Sequence, residues 1–265
     1  MSRISKTLLI TGATDGIGFL TSKLILKQGH HVLIHGRNPK KVNICVGQLS
    51  KFGMVEGFIA DFSNMNAVRL LSRQILHKHK KIDVLINNAG VLKTDKAITK
   101  EGFDTRFAVN TIAPFLLTNE LLPLVSQQGR VINVASAAQA PVDLDALLGK
   151  FSGLSDMEAY AQSKLAMIMF SLAMSKSINE KNTVFVSVNP GSLLGTKMVR
   201  QSFGIKGKDA DIGARLLVHL ATKESAQSIS GKYYDNDIGR YTSPHSDALD
   251  DRKCSQLVKA LKSIL

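Results

Sequence analysis

The apolar run from Thr7 to Thr11 passes directly into Gly12-Ala-Thr-Asp-Gly16-Ile-Gly18, and from Ile17 to Lys27 the apolar residues take up helical spacing. A strand, a glycine-rich turn and a helix in that order constrain this chain more than any other feature. The glycines permit a tight turn, close approach of backbone to a bound group and tight packing of the helix. The first turn of the helix adds free N–H groups and the positive end of its dipole, which favour a pyrophosphate. Three glycines alone are equally compatible with a plain structural turn. The strand–turn–helix context favours cofactor contact by Gly12, Thr14, Asp15, Gly16, Ile17 and Gly18.

The alternation then continues. His31 to His35, Met54 to Ala60, Ile82 to Asn87, Val131 to Val134 and Thr183 to Val188 read as short apolar strands. Between them, Pro39 to Lys51, Asn64 to Lys80 and Asp156 to Asn179 read as helices, and a mostly apolar helix begins near Thr99. Strands buried on both faces with helices between them imply a parallel sheet covered on both sides. No linker or internal repeat interrupts residues 1–265, which read as one domain. Two stretches break the pattern, an insertion at 137–155 and a loop at 192–209. Both follow the carboxyl end of a strand, where open α/β sheets bind ligands.

Composition excludes several classes. Hydrophobic residues at 44% and charged residues at 21% are globular values, which rules out disorder, collagen and coiled coils. The longest apolar run, Leu165 to Met174, is too short to span a bilayer, and Met1 to Thr11 does not match a signal peptide. Two cysteines make no disulfide framework, so a reducing, cytoplasmic setting is expected. The net charge of +13 is unusual, but the basic residues are scattered in pairs such as Lys40–Lys41 and read as solvated helix faces. A phosphorylated cofactor or a peripheral contact with an anionic membrane would use such a field; nucleic acid is not expected.

The end of the second strand discriminates between nicotinamide cofactors. A carboxylate there would bond a ribose 2′-hydroxyl, whereas an arginine would pair with a 2′-phosphate. The chain reads His35-Gly36-Arg37-Asn38, which favours NADP(H) over NAD(H) with Arg37 and Asn38 as contacts. Asp61, with Phe62 beside it, follows the third strand and either accepts from an adenine amino group or caps the next helix. Asn88, Ala89 and Gly90 end the fourth strand, where small residues admit a ligand close to backbone.

Tyr160 and Lys164 are four apart in a helical segment and so share a face. An ammonium beside a phenol lowers its pKa and makes it a usable acid or base. Ser136 follows the fifth strand at the same sheet edge as the glycine turn. Asn110 is a polar amide in an apolar helix and requires a backbone or water partner. The seven histidines show no ligand spacing and read as surface residues, so no metal is expected. Asp143 and Asp145 read as helix caps, and Met167, Met169 and Met174 as core or subunit contacts.

In this order and spacing, these residues resemble the short-chain dehydrogenase/reductase family, most closely its retinol-dehydrogenase-like and protochlorophyllide-reductase-like branch. The resemblance runs from Thr7 to about Asp235. It implies a single Rossmann-type doubly wound α/β domain with a parallel seven-stranded sheet and helices on both faces. It implies Asn110, Ser136, Tyr160 and Lys164 as the catalytic set, acting on a small-molecule carbonyl or alcohol. Tyr160 would exchange the proton, Ser136 would bind the substrate oxygen, Lys164 would also hold the cofactor ribose, and Asn110 would organise a water. Pro190, Gly191 and Thr196 match the family's cofactor contacts, the loop at 192–209 its substrate lid, and a homodimer or homotetramer its habit. Ser192-Leu-Leu-Gly195 departs from the family's usual run before Thr196. A non-redox epimerase or dehydratase of the same fold and a silent NADP-sensing protein are the rival readings.

Overall fold

A computed structural model describes residues 5–151, 153–177, 183–223 and 226–265. Strands β1 (Thr7–Ile10), β2 (His31–Gly36), β3 (Val55–Ile59), β4 (Ile82–Asn87), β5 (Val125–Val134), β6 (Val184–Asn189), β7 (Lys232–Asp235) and β8 (Arg240–Thr242) form one sheet. Their order is β3-β2-β1-β4-β5-β6-β7-β8. All neighbours are parallel except β7 and β8, which pair antiparallel through Tyr234↔Tyr241. The expected seven-stranded parallel sheet therefore carries an eighth, antiparallel edge strand. A short loop closed by Gly239 at φ 70° suffices for that reversal, whereas a parallel neighbour would need a long crossover.

Period-two alternation divides the sheet between two cores. Leu8, Ile10, Val32, Ile34, Val84 and Ile86 face α1 (Gly16–Leu26), α2 (Pro39–Leu49) and a later helix, Asp211–Thr222. Leu9, Leu33, Leu85, Val131 and Phe185 face α3 (Met65–Lys78) and the helical layer from Thr105 onward. That one strand supplies both cores explains the nearly continuous hydrophobicity of the strands. β1 pairs with β2 on one side and β4 on the other, so the chain changes direction there. The crevice above the carboxyl ends of β1 and β4 is the switch point, and it positions the site.

The apolar helix expected near Thr99 starts at Thr105. Asp104 caps it, and Thr99 lies in the preceding turn, where its carbonyl and hydroxyl accept from Gly102 and Phe103. It runs as α4 (Thr105–Phe107), one π-helical turn (Ala108–Ile112) and α5 (Ala113–Leu121). Pro114 accounts for the widened turn: it has no N–H for the Asn110 carbonyl, and its ring would collide with that carbonyl in a regular helix. By length and composition Thr105–Leu124 would cross a membrane, yet most of it is buried within the protein, as suits a core helix.

The fifth strand begins at Val125, earlier than the expected Val131. A register shift lets Ile82 pair with Val125 and Val84 with Arg130, and Gln128 takes φ 61° in the bulge. The insertion at 137–155 holds α6 (Leu144–Leu147), capped by Asp143, whose carboxylate accepts from the Asp145 and Ala146 N–H groups. α7 (Asp156–Ser177) buries Met167, Met169 and Met174 in the core of the single chain. Asn179, the expected helix end, lies outside the described residues. The stretch at 192–209 forms α8 (Lys197–Phe203) on a neck where Leu194 bridges Lys208. α9 (Asp211–Thr222) and α10 (Ala226–Ile229) complete the face of α1 and α2, and α11 (Asp251–Ser263) the opposite face.

Candidate active site

The glycine turn is locked to the end of β4. Thr11 Oγ1 accepts from the Asn88 and Ala89 N–H groups at 3.0 Å each, and Asn88 Nδ2 donates to the Thr11 and Gly12 carbonyls at 2.8 and 3.1 Å. A Cβ on Gly12, at φ +63°, would stand 2.7 Å from the Ala89 Cα, and one on Gly18 would stand 2.5 Å from Asn88 Nδ2. These glycines are required by the approach of two strand ends, before any ligand is considered. Asn88 is thus spent on the loop, and its side chain is a tie between strands.

His35 was not among the expected site residues, and it is central to the turn. It is 3% exposed. Its Nδ1 accepts from the Gly12 N–H at 3.3 Å while Nε2 bonds the Ala60 carbonyl at 3.0 Å. Phe62 stacks on the imidazole, with centroids 4.1 Å apart. Burial pushes the His35 pKa down to about 4, so the ring is neutral, accepting at one nitrogen and donating at the other. The Phe62 ring therefore belongs to the core beneath the turn rather than to a cofactor surface. The only sequence signal for this was a histidine one residue before Gly36.

Other expected contacts divide between ligand-facing and structural positions. Asp15 caps α1 by accepting from the Gly16 N–H at 2.7 Å. Ile17 and Gly18 follow in that first turn, whose N–H groups lack intrahelical partners. Thr14 packs its methyl toward Gly36, where a Cβ would come within 2.5 Å. Arg37 is exposed immediately after β2 and forms no hydrogen bond or ion pair among the described residues; Lys40 and Lys41 are exposed beside it. Asn38 caps α2 through the Lys41 N–H at 3.0 Å. Asp61 closes a turn onto Ser63, and Asn64 rather than Asp61 caps α3.

Across the crevice, Thr196 caps α8 and brings its methyl within 3.3 Å of where a Gly16 Cβ would stand. Pro190 and Gly191 are held by side chains, Asn236 donating to the Pro190 carbonyl and Asn189 accepting from the Gly191 N–H. Leu193 sits at φ 56°, a conformation unusual for a branched side chain, where the chain departs from the expected run. The lid residues Phe203 and Ile205 are 46% and 41% exposed.

The four chemistry-bearing residues converge above Gly90. A Cβ there would lie 3.3 Å from both Asn110 Oδ1 and Lys164 Nζ. Asn110 sits in the π turn, fully buried, exchanging hydrogen bonds with the Val91 backbone at 2.8 and 2.9 Å and donating to Ser163 Oγ at 2.9 Å. Lys164 Nζ donates to the Val134 carbonyl at 2.7 Å and lies 5.7 Å from the centre of the Tyr160 ring. Burial pulls its pKa down to about 8. The Ser136 side chain lies near enough to the Tyr160 hydroxyl to favour its phenolate by hydrogen bonding. Burial raises the Tyr160 pKa and the serine opposes it, so the phenol stands above its ordinary value. The expectation that Lys164 lowers it is not met in this structure, because the ammonium is committed to Val134 and desolvation dominates.

Ser136 is itself braced. Its hydroxyl accepts from the Ala138 N–H at 3.1 Å, and its carbonyl accepts from the Tyr233 hydroxyl and Gln139 Nε2, each at 3.1 Å. Tyr233, at the buried start of β7, went unnoticed in the sequence because β7 contributes no motif. Between this brace and the β7–β8 hairpin lies a cavity of about 380 Å³, lined by residues that include Ala137, Gln139, Tyr233, Ile238, Pro244 and His245.

A family model for short chain dehydrogenases matches residues 6–204. The chain belongs to the short-chain dehydrogenase family. Mouse (Mus musculus) retinol dehydrogenase 13 is 27% identical over 263 residues, covering 91% of this chain and 79% of its own. Human polyprenol dehydrogenase is 30% identical over 258 residues, covering 89% and 78%. A solved short-chain dehydrogenase from Burkholderia cenocepacia in complex with NADP superposes with a TM-score of 0.71 at 23% identity, covering 88% of this chain and 97% of that one. The short-chain dehydrogenase fold, the retinol-dehydrogenase-like resemblance and an oxidoreductase acting on CH–OH or C=O groups with a nicotinamide cofactor all stand. Gly90 fits such a cofactor, since a side chain there would crowd Asn110 Oδ1 and Lys164 Nζ and narrow the crevice.

Proposed function

We propose that this short-chain dehydrogenase uses NADP(H) to interconvert an apolar carbonyl and its alcohol, with Tyr160 as the general acid or base. The observation that carries the reading is the gathering of Tyr160, Ser136 and Lys164 at one point, with the Ser136 side chain acting on the Tyr160 hydroxyl and Lys164 Nζ 5.7 Å from the centre of its ring. Two hydroxyls so grouped can both meet one substrate oxygen, with Lys164 and Asn110 beside them. When bound, the cofactor supplies or accepts the hydride.

The chain's own residues do the rest. Tyr160, whose raised pKa keeps it protonated near neutral pH, donates its proton to the carbonyl oxygen in reduction and recovers it in oxidation. Ser136 donates to the same oxygen and is held still by Tyr233, Gln139 and Ala138. Lys164 supports the proton transfer as an ammonium, and Asn110 holds the Val91 backbone beside it and organises the proton path.

Exposed, uncommitted Arg37 supports NADP(H), since a guanidinium pairs a 2′-phosphate with two parallel bonds. The NADP complex of the Burkholderia protein agrees with that choice. An apolar substrate is supported by Phe151, Met157, Leu193, Phe203 and Ile205, exposed apolar residues on the insertion, the start of α7 and the lid. Two buried free cysteines suit a cytoplasmic protein. A homodimer or homotetramer rests on the resemblance alone.

The test is consumption of NADPH and of NADH over a panel of aldehydes, ketones, quinones and retinoid-like carbonyls. Turnover with NADPH well above that with NADH is expected on apolar members. Equal or greater turnover with NADH would overturn the cofactor assignment, and failure to bind either cofactor would overturn the whole reading.

A further inference from the structure

At the opposite edge of the sheet, three side chains from separate elements meet. His31 opens β2, Glu56 is the second residue of β3, and His79 follows α3 in extended conformation. The sequence placed His79 on a helix and the histidines at the surface without ligand spacing. The fold instead ends α3 at Lys78 and turns His79 toward the sheet. His31 Nε2 lies 3.1 Å and His79 Nε2 3.6 Å from the same oxygen, Glu56 Oε1. One donor atom from each of the three lies within 4.8 Å of the other two. All three side chains are largely enclosed, with exposures of 15%, 22% and 11% for His31, Glu56 and His79.

Both imidazole nitrogens are buried without a well-aligned hydrogen bond. Neither ring nitrogen meets the carboxylate oxygen in hydrogen-bonding geometry although both point at it, and buried polar atoms left unbonded are costly. A cation among them removes the conflict. Around a tetrahedral ion with bonds of 2.0–2.2 Å, neighbouring donors stand roughly 3.3–3.6 Å apart, close to the two imidazole–carboxylate spacings. Lys78 pairs with the other carboxylate oxygen, Oε2, which leaves Oε1 turned toward the histidines. Phe58 packs edge-on against His79, at 6.1 Å between centroids, and walls one side.

We propose that His31, Glu56 and His79 form a binding site for a borderline divalent transition ion of the zinc class, with a fourth position open to water. Two imidazoles and one carboxylate select Zn²⁺ or Co²⁺ over Mg²⁺ and Ca²⁺, which take oxygen ligands. The site joins the end of α3 to the starts of β2 and β3. It lies at the amino ends of the strands, away from Tyr160, so its role is to clamp the fold rather than to take part in hydride transfer.

The experiment titrates the metal-free full chain with Zn²⁺ by calorimetry and with Co²⁺ by visible absorption. The expected result is one equivalent bound, a tetrahedral Co²⁺ spectrum and a Tm that rises with added Zn²⁺ but not with Mg²⁺. His79→Gln and Glu56→Gln should each weaken binding by at least about tenfold while leaving turnover unchanged. In the unsubstituted protein, Zn²⁺ should protect His31 and His79 from diethyl pyrocarbonate, a readout that does not depend on how the variants fold. Absence of stoichiometric binding, binding undiminished in the variants, or no protection of these two histidines would overturn the proposal.

Discussion

The Gly12 N–H donates to Nδ1 of His35 at 3.3 Å, so the glycine turn that faces the cofactor crevice rests on a buried, neutral imidazole. Its other nitrogen bonds Ala60 at the end of β3. One ring thereby sets the height of the turn against two strand ends.

Acid should loosen this arrangement. The His35 pKa is depressed from 6.5 to about 4 in the folded chain, so the unfolded chain takes up the proton first as pH falls. The contribution is fully present above pH 6.5 and is lost progressively from there down to about pH 4, amounting to about 3 kcal/mol. Urea unfolding at pH 7 and pH 5 should show this decline in the unsubstituted protein and a shallower one in His35→Asn. Parallel declines in both proteins would mean that the proton goes elsewhere.

Arg37 should discriminate between cofactors without touching the chemistry. A charge-assisted bond to a phosphate is worth about 1.5–3 kcal/mol, so Arg37→Ala should raise KM for NADPH by roughly 10- to 150-fold. KM for NADH and kcat with either cofactor should change little. A similar loss with both cofactors would place Arg37 outside the 2′-phosphate site.

Stability should depend on a pair far less visible in the sequence. Arg106 is 2% exposed and forks onto both oxygens of Asp104 at 2.9 and 2.6 Å, with a third bond to Asp156 at the start of α7. Arg106→Ala leaves the buried Asp104 carboxylate without its partner and should cost about 3–5 kcal/mol in urea unfolding. Arg106→Lys should recover only part of this, because an ammonium cannot reproduce the fork. A loss below about 1 kcal/mol in the alanine variant would show that solvent reaches the pair.

Much of the fold was legible because its signals are local. The strands β1, β2, β4 and β6 and the glycine turn declare themselves through apolar runs and Gly12, Gly16 and Gly18. The antiparallel β8 did not, since three residues, Arg240 to Thr242, carry no periodicity. The break at Asn110 was readable in principle from Pro114, whose effect on the carbonyl four residues earlier is purely steric. The site was legible as a set of residue types but not as a division of labour. Asn88, Asn38 and Asp15 look like ligand contacts in sequence, yet their side chains are spent on Thr11, Lys41 and Gly16. His35, Tyr233 and the His31–Glu56–His79 group act through partners 23 to 97 positions away, and no spacing in the sequence records such a meeting.

The central claim is that Tyr160 moves the proton while the rest of the site binds. It is tested most directly by Tyr160→Phe, which removes one oxygen and leaves the ring, Ser136 and Lys164 in place. With an apolar carbonyl that the unsubstituted protein reduces, the variant should lose at least about 10²-fold in kcat. Its affinity for NADPH, read from the fluorescence of the reduced nicotinamide, should be retained. Turnover within a few-fold of the unsubstituted protein, at equal NADPH affinity, would contradict the account.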